Sequence, residues 1–211
     1  MFVPMIRKSR DYNERNRTRF TWLFCIVLGV LILLSESIWE RQPVIEELLF
    51  LVACVFAGIG AMGRAWCAVF ISGRKDGVLV DKGPYAMCRN PLYFFSCIGA
   101  FGVGLATETV TIPLLILLVF TLYYPGIILA EERRLVSLFG DAFDEYRKKV
   151  PCFLPNLSLL KGAEPSDYQV STRSLRHSLF DALWFIWIMG ILEVIAALHD
   201  VGCLPTLLYL Y

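Results

Sequence analysis

The chain has 211 residues, is 57% hydrophobic and has a mean hydropathy of +0.60, well above a soluble domain, and its 20 basic residues nearly balance 19 acidic ones. That balance gives no reason to expect nucleic acid, whose binders carry a basic excess. Class is decided by clustering: the apolar residues gather in runs near the ~20 residues a helix needs to cross ~30 Å of hydrocarbon.

In chain order, residues 1–19 form a basic tail with six Lys or Arg. The first apolar run, Phe20–Leu34, extends at its widest through Ile38 and Trp39. It follows a basic flank, as a signal peptide does, but it is long and "LLSESIWERQ" offers no small-x-small cleavage site, so it reads as a retained anchor. The second run, Leu48–Ile71, carries Ala53, Ala57, Ala61 and Ala65 at four-residue spacing, with Gly58 and Gly60 beside them. The third, Leu92–Ala106, carries Ser96, Ala100 and Gly104 at the same spacing. Small faces let backbones approach where lipid supplies no hydrophobic drive, so these two runs are expected to pack together.

"TET" at 107–109 joins the short third run to the fourth, Val110–Ala130, as a helical hairpin. Pro125 cannot donate to the carbonyl of Thr121, which predicts a bend that carries "EERR" over the mouth of the bundle. Next, Leu135, Val136, Phe139, Phe143, Tyr146 and Val150 recur at three- and four-residue steps, with Asp144–Lys148 and Glu145–Lys149 as i,i+4 pairs. This predicts an amphipathic interfacial helix, ended by "VPCFLP". Residues 156–178 read as a polar linker to a fifth run, Leu179–Leu198. Asp181 and Glu193 within it are expensive in lipid and so functional candidates, although Asp181 also reads as a cap near the helix end.

If all five runs cross, 18 of the 20 basic residues fall on one side: six in the tail, four in 72–90 and eight in 131–178. The positive-inside pattern then places the amino terminus in the cytoplasm and the carboxyl terminus outside. A four-span alternative would lay "LWFIWIMGILEVIAAL" in the interface, which its nearly uniform hydrophobicity opposes. The expected fold is an all-α, multi-pass integral membrane protein with five transmembrane helices, an interfacial helix and a site at the cytoplasmic face. Its parts are the tail (1–19), a four-span core with the interfacial helix (20–155), the linker (156–178), and a fifth span with a short external tail (179–211).

Seven cysteines with no C-x-x-C, four of them inside spans, make neither a disulfide framework nor a zinc site. Two histidines, His177 and His199, are too few for a histidine-rich metal centre.

The densest chemistry is in "GPYAMCRNPLYFF", residues 83–95. Asn is a strong N-cap and Pro is favoured at the first helical position, so "RNPLY" reads as a helix start with Arg89 reaching to phosphates. It reads equally as a ligand site, because the hairpin should set Arg89 and Asn90 beside Glu131 and Glu132. Tyr85, Tyr93 and Tyr123 lie nearby, and backbone N–H groups at the helix start favour a carboxylate. Opposite charges at a shallow mouth suit a zwitterionic, ring-bearing ligand.

Together, "GPY…RNPLY" and "EE…L…FG…Y…VP…P" resemble the integral-membrane isoprenylcysteine carboxyl methyltransferases and the related phospholipid N-methyltransferases, from about Gly58 to Pro155. The resemblance implies S-adenosylmethionine as cofactor. It implies that Gly77, Val78, Leu79, Val80 and Tyr85 line it, that Asn90, Pro91, Leu92 and Tyr93 continue the wall, and that Glu131 binds a polar end. Arg89 would hold a substrate phosphate or the cofactor carboxylate, and Glu132 would accept a proton from an amine substrate; these two are the candidate catalytic residues. The family commonly has His where this chain has Asn90, which cannot titrate near neutral pH. It also has Arg where this chain has Ile127, so a carboxylate substrate would need Arg64, Arg74 or Lys75. The acceptor is expected to be a lipophilic or lipidated molecule entering from the bilayer among membrane lipids. A nicotinamide-dependent reductase of the sterol-reductase type and a non-catalytic scaffold are the alternatives.

Overall fold

The computed structural model describes residues 19–74, 77–162 and 168–211. Helix α1 (Arg19–Leu33) leads through strand β1 (Ser35–Ser37) into α2 (Pro43–Ile71). The short α3 (Pro84–Met87), then α4 (Pro91–Leu105), α5 (Thr111–Phe139) and α6 (Asp141–Lys149) follow. A 3-10 turn at Leu157–Leu160 precedes α7 (Thr172–Asp200) and strand β2 (Leu208–Leu210).

Three of these helices, α2, α5 and α7, are long and apolar enough to cross a membrane. Helices α1 and α4 are apolar but have 15 residues each, a rise of ~22 Å. Leu51, Met62, Leu122, Trp184 and Trp187 stand exposed along the three long helices, as a lipid-facing exterior requires.

The tightest seam joins α2 to α4, as the small residues predict, but on α4 it uses only part of the expected face. Ala53 and Ala57 are at most 1% exposed. On α4 the contact runs through Phe95, Gly99 and Gly102: a Cβ on Gly60 would lie 2.4 Å from Gly99 Cα, and one on Gly102 2.5 Å from the Ala57 nitrogen. Of the expected stripe, Ser96 does face α2, through Arg64, whereas Gly104 meets Pro113 and Ile116 of α5. A one-residue offset rotates a helix by about 100°, so the periodicity found the right helix and, on α4, a stripe that meets α2 at Ser96 and turns away from it at Gly104. Helix α7 completes the bundle against α2 and α4 through Phe185, Met189 and Leu192.

Further corrections concern the ends of elements. Helix α5 is continuous through Pro125 to Phe139, and Gly140, at φ 52°, starts α6. The expected amphipathic helix is therefore two segments: Leu135, Val136 and Phe139 from α5 close with Phe143, Tyr146 and Val150 into one cluster, joined by Leu79. Its ion pair is Arg147 with Asp144 at 3.1 Å. Helix α7 begins at Thr172, not Leu179, so Asp181 sits in its third turn and does not cap it. The fold is also not purely helical. Strands β1 and β2 pair in parallel, Ser35 opposite Leu208, and the main-chain oxygen of Tyr211 accepts from the Val110 and Thr111 amides at 2.5 and 2.7 Å. This knot closes the end of the bundle opposite α3.

Candidate active site

The site is made where three irregular segments are stitched together. Gly83, at φ 57°, turns the chain sharply against the Phe70 ring into α3. The segment after α3 then pairs with the residues after α6: the Arg89 amide donates to the Pro151 carbonyl at 2.9 Å, and the Asn156 amide to that of Met87 at 2.9 Å. The start of α4 and the end of α6 are thereby held edge to edge.

Arg89 is the centre of this junction. Its Nε donates to Glu132 Oε1 at 2.8 Å, and its Nη1 donates to the carbonyls of Arg147 at 3.0 Å and Val150 at 2.7 Å. A guanidinium on the last carbonyls of α6 satisfies groups the helix leaves unpaired and complements its dipole. The side chains of Arg89 and Glu132 are each 11% exposed, so this is a buried ion pair. Glu132 Oε1 also accepts from Asn90 Nδ2 at 3.5 Å and from the Cys152 thiol at 3.6 Å.

Asn90 occupies the N-cap position of α4, yet its side chain makes no capping bond. Nδ2 donates instead to the Cys152 carbonyl at 3.0 Å, and the residue is 7% exposed. Both its amide hydrogens thus go to protein. Cys88 next door is buried, and burial pushes its thiol up to about 12 despite Arg89, so it is no ready nucleophile.

Glu131 is placed differently. Half-buried on α5, it accepts from the Tyr93 hydroxyl at 2.7 Å, whereas Arg89 and Asn90 both go to Glu132. Around them is an aromatic wall. Tyr93 meets Tyr124 edge-on at 5.5 Å, Tyr124 stacks on Phe120 at 3.6 Å, and Phe153 sits 5.7 Å from Phe94 and 6.0 Å from Phe120.

Tyr85 is 8% exposed, and its hydroxyl has no partner. Its carbonyl accepts from the Tyr146 hydroxyl at 2.6 Å, which fixes the main chain and leaves the phenol unengaged. Burial, and then nearby acidic groups including Glu131, push the phenol well above its ordinary range, so it stays a neutral donor. Leu92 and Val80 pack on the cluster of Cys67, Phe70, Tyr85, Met87 and Phe95, with Pro91 buried beside them. Leu79 packs on Phe143 and Tyr146, while Gly77 and Val78 are exposed. The 77–80 segment is therefore anchored at one end and open at the other.

Of the expected alternative cations, Arg74 stacks on Tyr168 at 3.8 Å and donates to the Gln169 carbonyl at 3.3 Å. Lys75 lies outside the described residues. The sequence names none of Cys152, Phe153 and Tyr146 as a site residue: "VPCFLP" reads as a helix stop and as the close of the family motif, and no local pattern shows that it folds back between α4 and α5. Among the described residues no three His, Cys, Asp or Glu side chains are arranged to hold a metal ion.

Comparison with known proteins supports what these residues suggest. The family described as phospholipid methyltransferase matches residues 43–142, from the start of α2 into α6. The chain is 36% identical over 173 residues to the cobalt-zinc-cadmium resistance protein CzcN of Cupriavidus metallidurans, covering 82% of this chain and 78% of that one. It is 34% identical over 200 residues to the nickel-cobalt-cadmium resistance protein NccN of Alcaligenes xylosoxydans xylosoxydans, covering 95% and 92%. It is 38% identical over 94 residues to a protein-S-isoprenylcysteine O-methyltransferase of Schizosaccharomyces pombe, covering 44% and 40%. No solved structure matches.

Proposed function

The chain belongs to the integral-membrane methyltransferase family, and from that premise we propose that it transfers a methyl group from S-adenosylmethionine to a lipophilic acceptor, in the manner of the isoprenylcysteine carboxyl methyltransferases. A phospholipid amine is the second acceptor class the family allows. The observation that carries the reading is the buried Tyr85 hydroxyl without a partner, beside the Glu131–Tyr93 pair. A buried hydroxyl left unpaired is costly unless a ligand completes it. A zwitterion with an aromatic ring fits the set: Tyr85 donates, Glu131 accepts, the first amides of α4 face an anion, and Tyr124 and Phe120 supply ring faces.

When bound, the cofactor supplies a methyl group already activated by its sulfonium charge, so alignment and exclusion of water are what the protein must add. Tyr93 orients Glu131 through their 2.7 Å bond, and in our reading the site opens beside this pair. Gly77–Val80, anchored by Leu79 and Val80, would cover that opening. Arg89 and Glu132, expected as anion holder and proton acceptor, are bonded to one another, and in our reading they position the α4 start instead of contacting substrate. Asn90 joins them in that task. A carboxylate acceptor needs no base at neutral pH, which agrees with a site whose buried acid is already paired.

In the same reading the chain crosses the membrane five times, with the short helices α1 and α4 spanning a thinned section and the site facing the cytoplasm. The heavy-metal resistance named for two relatives would then be served by a methylated membrane component.

The test is titration of detergent-purified protein with S-adenosylmethionine and with NADPH. Binding of the first and not the second is expected, and Glu131→Gln should weaken it by ~10–150-fold, the worth of one charge-assisted hydrogen bond. Binding of NADPH alone would replace this reading with the reductase.

A further inference from the structure

Besides the acidic Asp181 and Glu193 of α7, the bundle contains a cation that the site above does not use. Arg64 lies on α2 about 10 Å from that helix's site end at Ile71, and Ser96 lies about 8 Å into α4 from Pro91, so the two share one depth. Arg64 Nη1 donates to the Ser96 hydroxyl, which in turn donates to the Leu92 carbonyl at 2.6 Å. On its other side the guanidinium stands 5.9 Å from the centre of the Phe185 ring of α7. Its Nε is buried with no partner, and among the described residues no carboxylate pairs with it. A cation within a membrane bundle ordinarily faces an opposite charge or a pathway. Here three helices converge on it and offer only a hydroxyl and a ring.

Its position relative to the site adds a direction. Ser96 is one turn below Tyr93 on α4, and Arg64 is one turn from Cys67, which belongs to the cluster that holds Tyr85. The cation is thus one layer deeper than Tyr85 and Tyr93. An acceptor that enters from the bilayer with its reacting end at Glu131 and Tyr93 would pass an anionic group at this depth.

We infer that Arg64 is the anion-recognising residue of the acceptor site, taking a phosphate or carboxylate of a lipid-linked substrate between α2, α4 and α7. The inference rests on the methyl-transfer reading for the acceptor's role, but not for the anion preference itself. The alternative is that Arg64 only staples α2 to α4 through Ser96.

The full chain in maltoside micelles, with dodecyl phosphate, dodecanoate, dodecanol and inorganic phosphate as probes, decides between them. Wild type should bind the two alkyl anions at least ~10-fold more tightly than dodecanol, as a charge-assisted hydrogen bond implies. Arg64→Gln should erase that preference, and Arg64→Lys should restore part of it. Dodecanol binding as tightly as the anions to wild type overturns the inference, and this arm needs no variant to fold. So does an Arg64→Gln chain that is less heat-stable yet keeps the preference, because that is the behaviour of a staple. Inorganic phosphate binding as well as dodecyl phosphate would assign the site to a soluble anion; much weaker binding assigns it to a lipid. S-adenosylmethionine titrated on the same samples separates the two readings: cofactor binding without anion preference sinks only this inference, and the reverse sinks only the methyltransferase.

Discussion

Glu132→Ala should unfold the α4–α5–α6 junction more than it alters cofactor binding. In the structure Glu132 Oε1 neutralises Arg89 at 2.8 Å, with both side chains 11% exposed, and also receives Asn90 and Cys152. Removing one partner of a buried pair leaves the other charge uncompensated and costs about 3–5 kcal/mol. The Arg147 and Val150 carbonyls still hold Arg89 in this variant, which places it toward the lower end of that range. Arg89→Met should cost a similar amount, since it strands Glu132 and frees both carbonyls. Replacing both by apolar residues, Arg89→Met with Glu132→Leu, removes the charge problem and should cost much less than the two single changes added together, with a coupling of ~1–3 kcal/mol. The assay is thermal unfolding in detergent, at roughly 2–4 °C per kcal/mol for a chain of this size, paired with cofactor titration below the transition. Additive single-variant effects would refute the reasoning. So would a Glu132→Gln chain that is as stable as wild type and binds cofactor normally but no longer turns over, because that outcome would make Glu132 a chemical participant.

Three further outcomes are expected. Tyr85→Phe removes a buried hydroxyl with no partner, so the apo protein should melt no lower than wild type while cofactor affinity falls by ~2–12-fold; a lower melting point or unchanged affinity counts against the site. Gly60→Ala should destabilise by ~1–3 kcal/mol or more in the same unfolding assay, because its Cβ would sit 2.4 Å from Gly99 Cα, whereas Gly58→Ala, with nothing within 4 Å, should be neutral; equal effects would place the α2–α4 seam elsewhere. Glu108, in the α4–α5 turn, is pushed up to about 7 by burial first and then by Glu46, Glu193 and Asp200. The folded chain therefore holds a proton there that the unfolded chain releases near 4.5, so stability should be fullest below that pH and fall as pH rises toward about 7. Glu108→Gln should flatten this slope in melting curves taken across pH 4–8, and an unchanged slope would assign it to other groups.

The chain's own order of residues was enough to place the apolar helices, to pair α2 with α4, and to bring the start of α4, with Arg89, Asn90 and Tyr93, against Glu131 and Glu132 of α5. All of these follow from short-range rules: run length against bilayer thickness, small residues where backbones must meet, and a three-residue connection that forces neighbouring helices to be antiparallel. Glu193, a functional candidate by its cost in lipid, comes within electrostatic reach of Glu108 only because α7 ends next to the α4–α5 turn. The division of labour between adjacent residues was likewise invisible. Glu131 and Glu132 are identical side chains one position apart, but a helix turns them about 100° from each other, so one meets Tyr93 and the other Arg89. Asn90 looks like a cap in any local reading; it becomes a strut because the segment at 150–156, sixty residues away, folds back to offer it the Cys152 carbonyl. The pairing of β1 with β2 spans some 170 residues and has no pattern of its own in either three-residue segment. Composition and spacing act within a few turns of chain and decide which elements exist. Which of two equivalent side chains does the work is set by what the rest of the chain places opposite, and that is decided only when the helices pack.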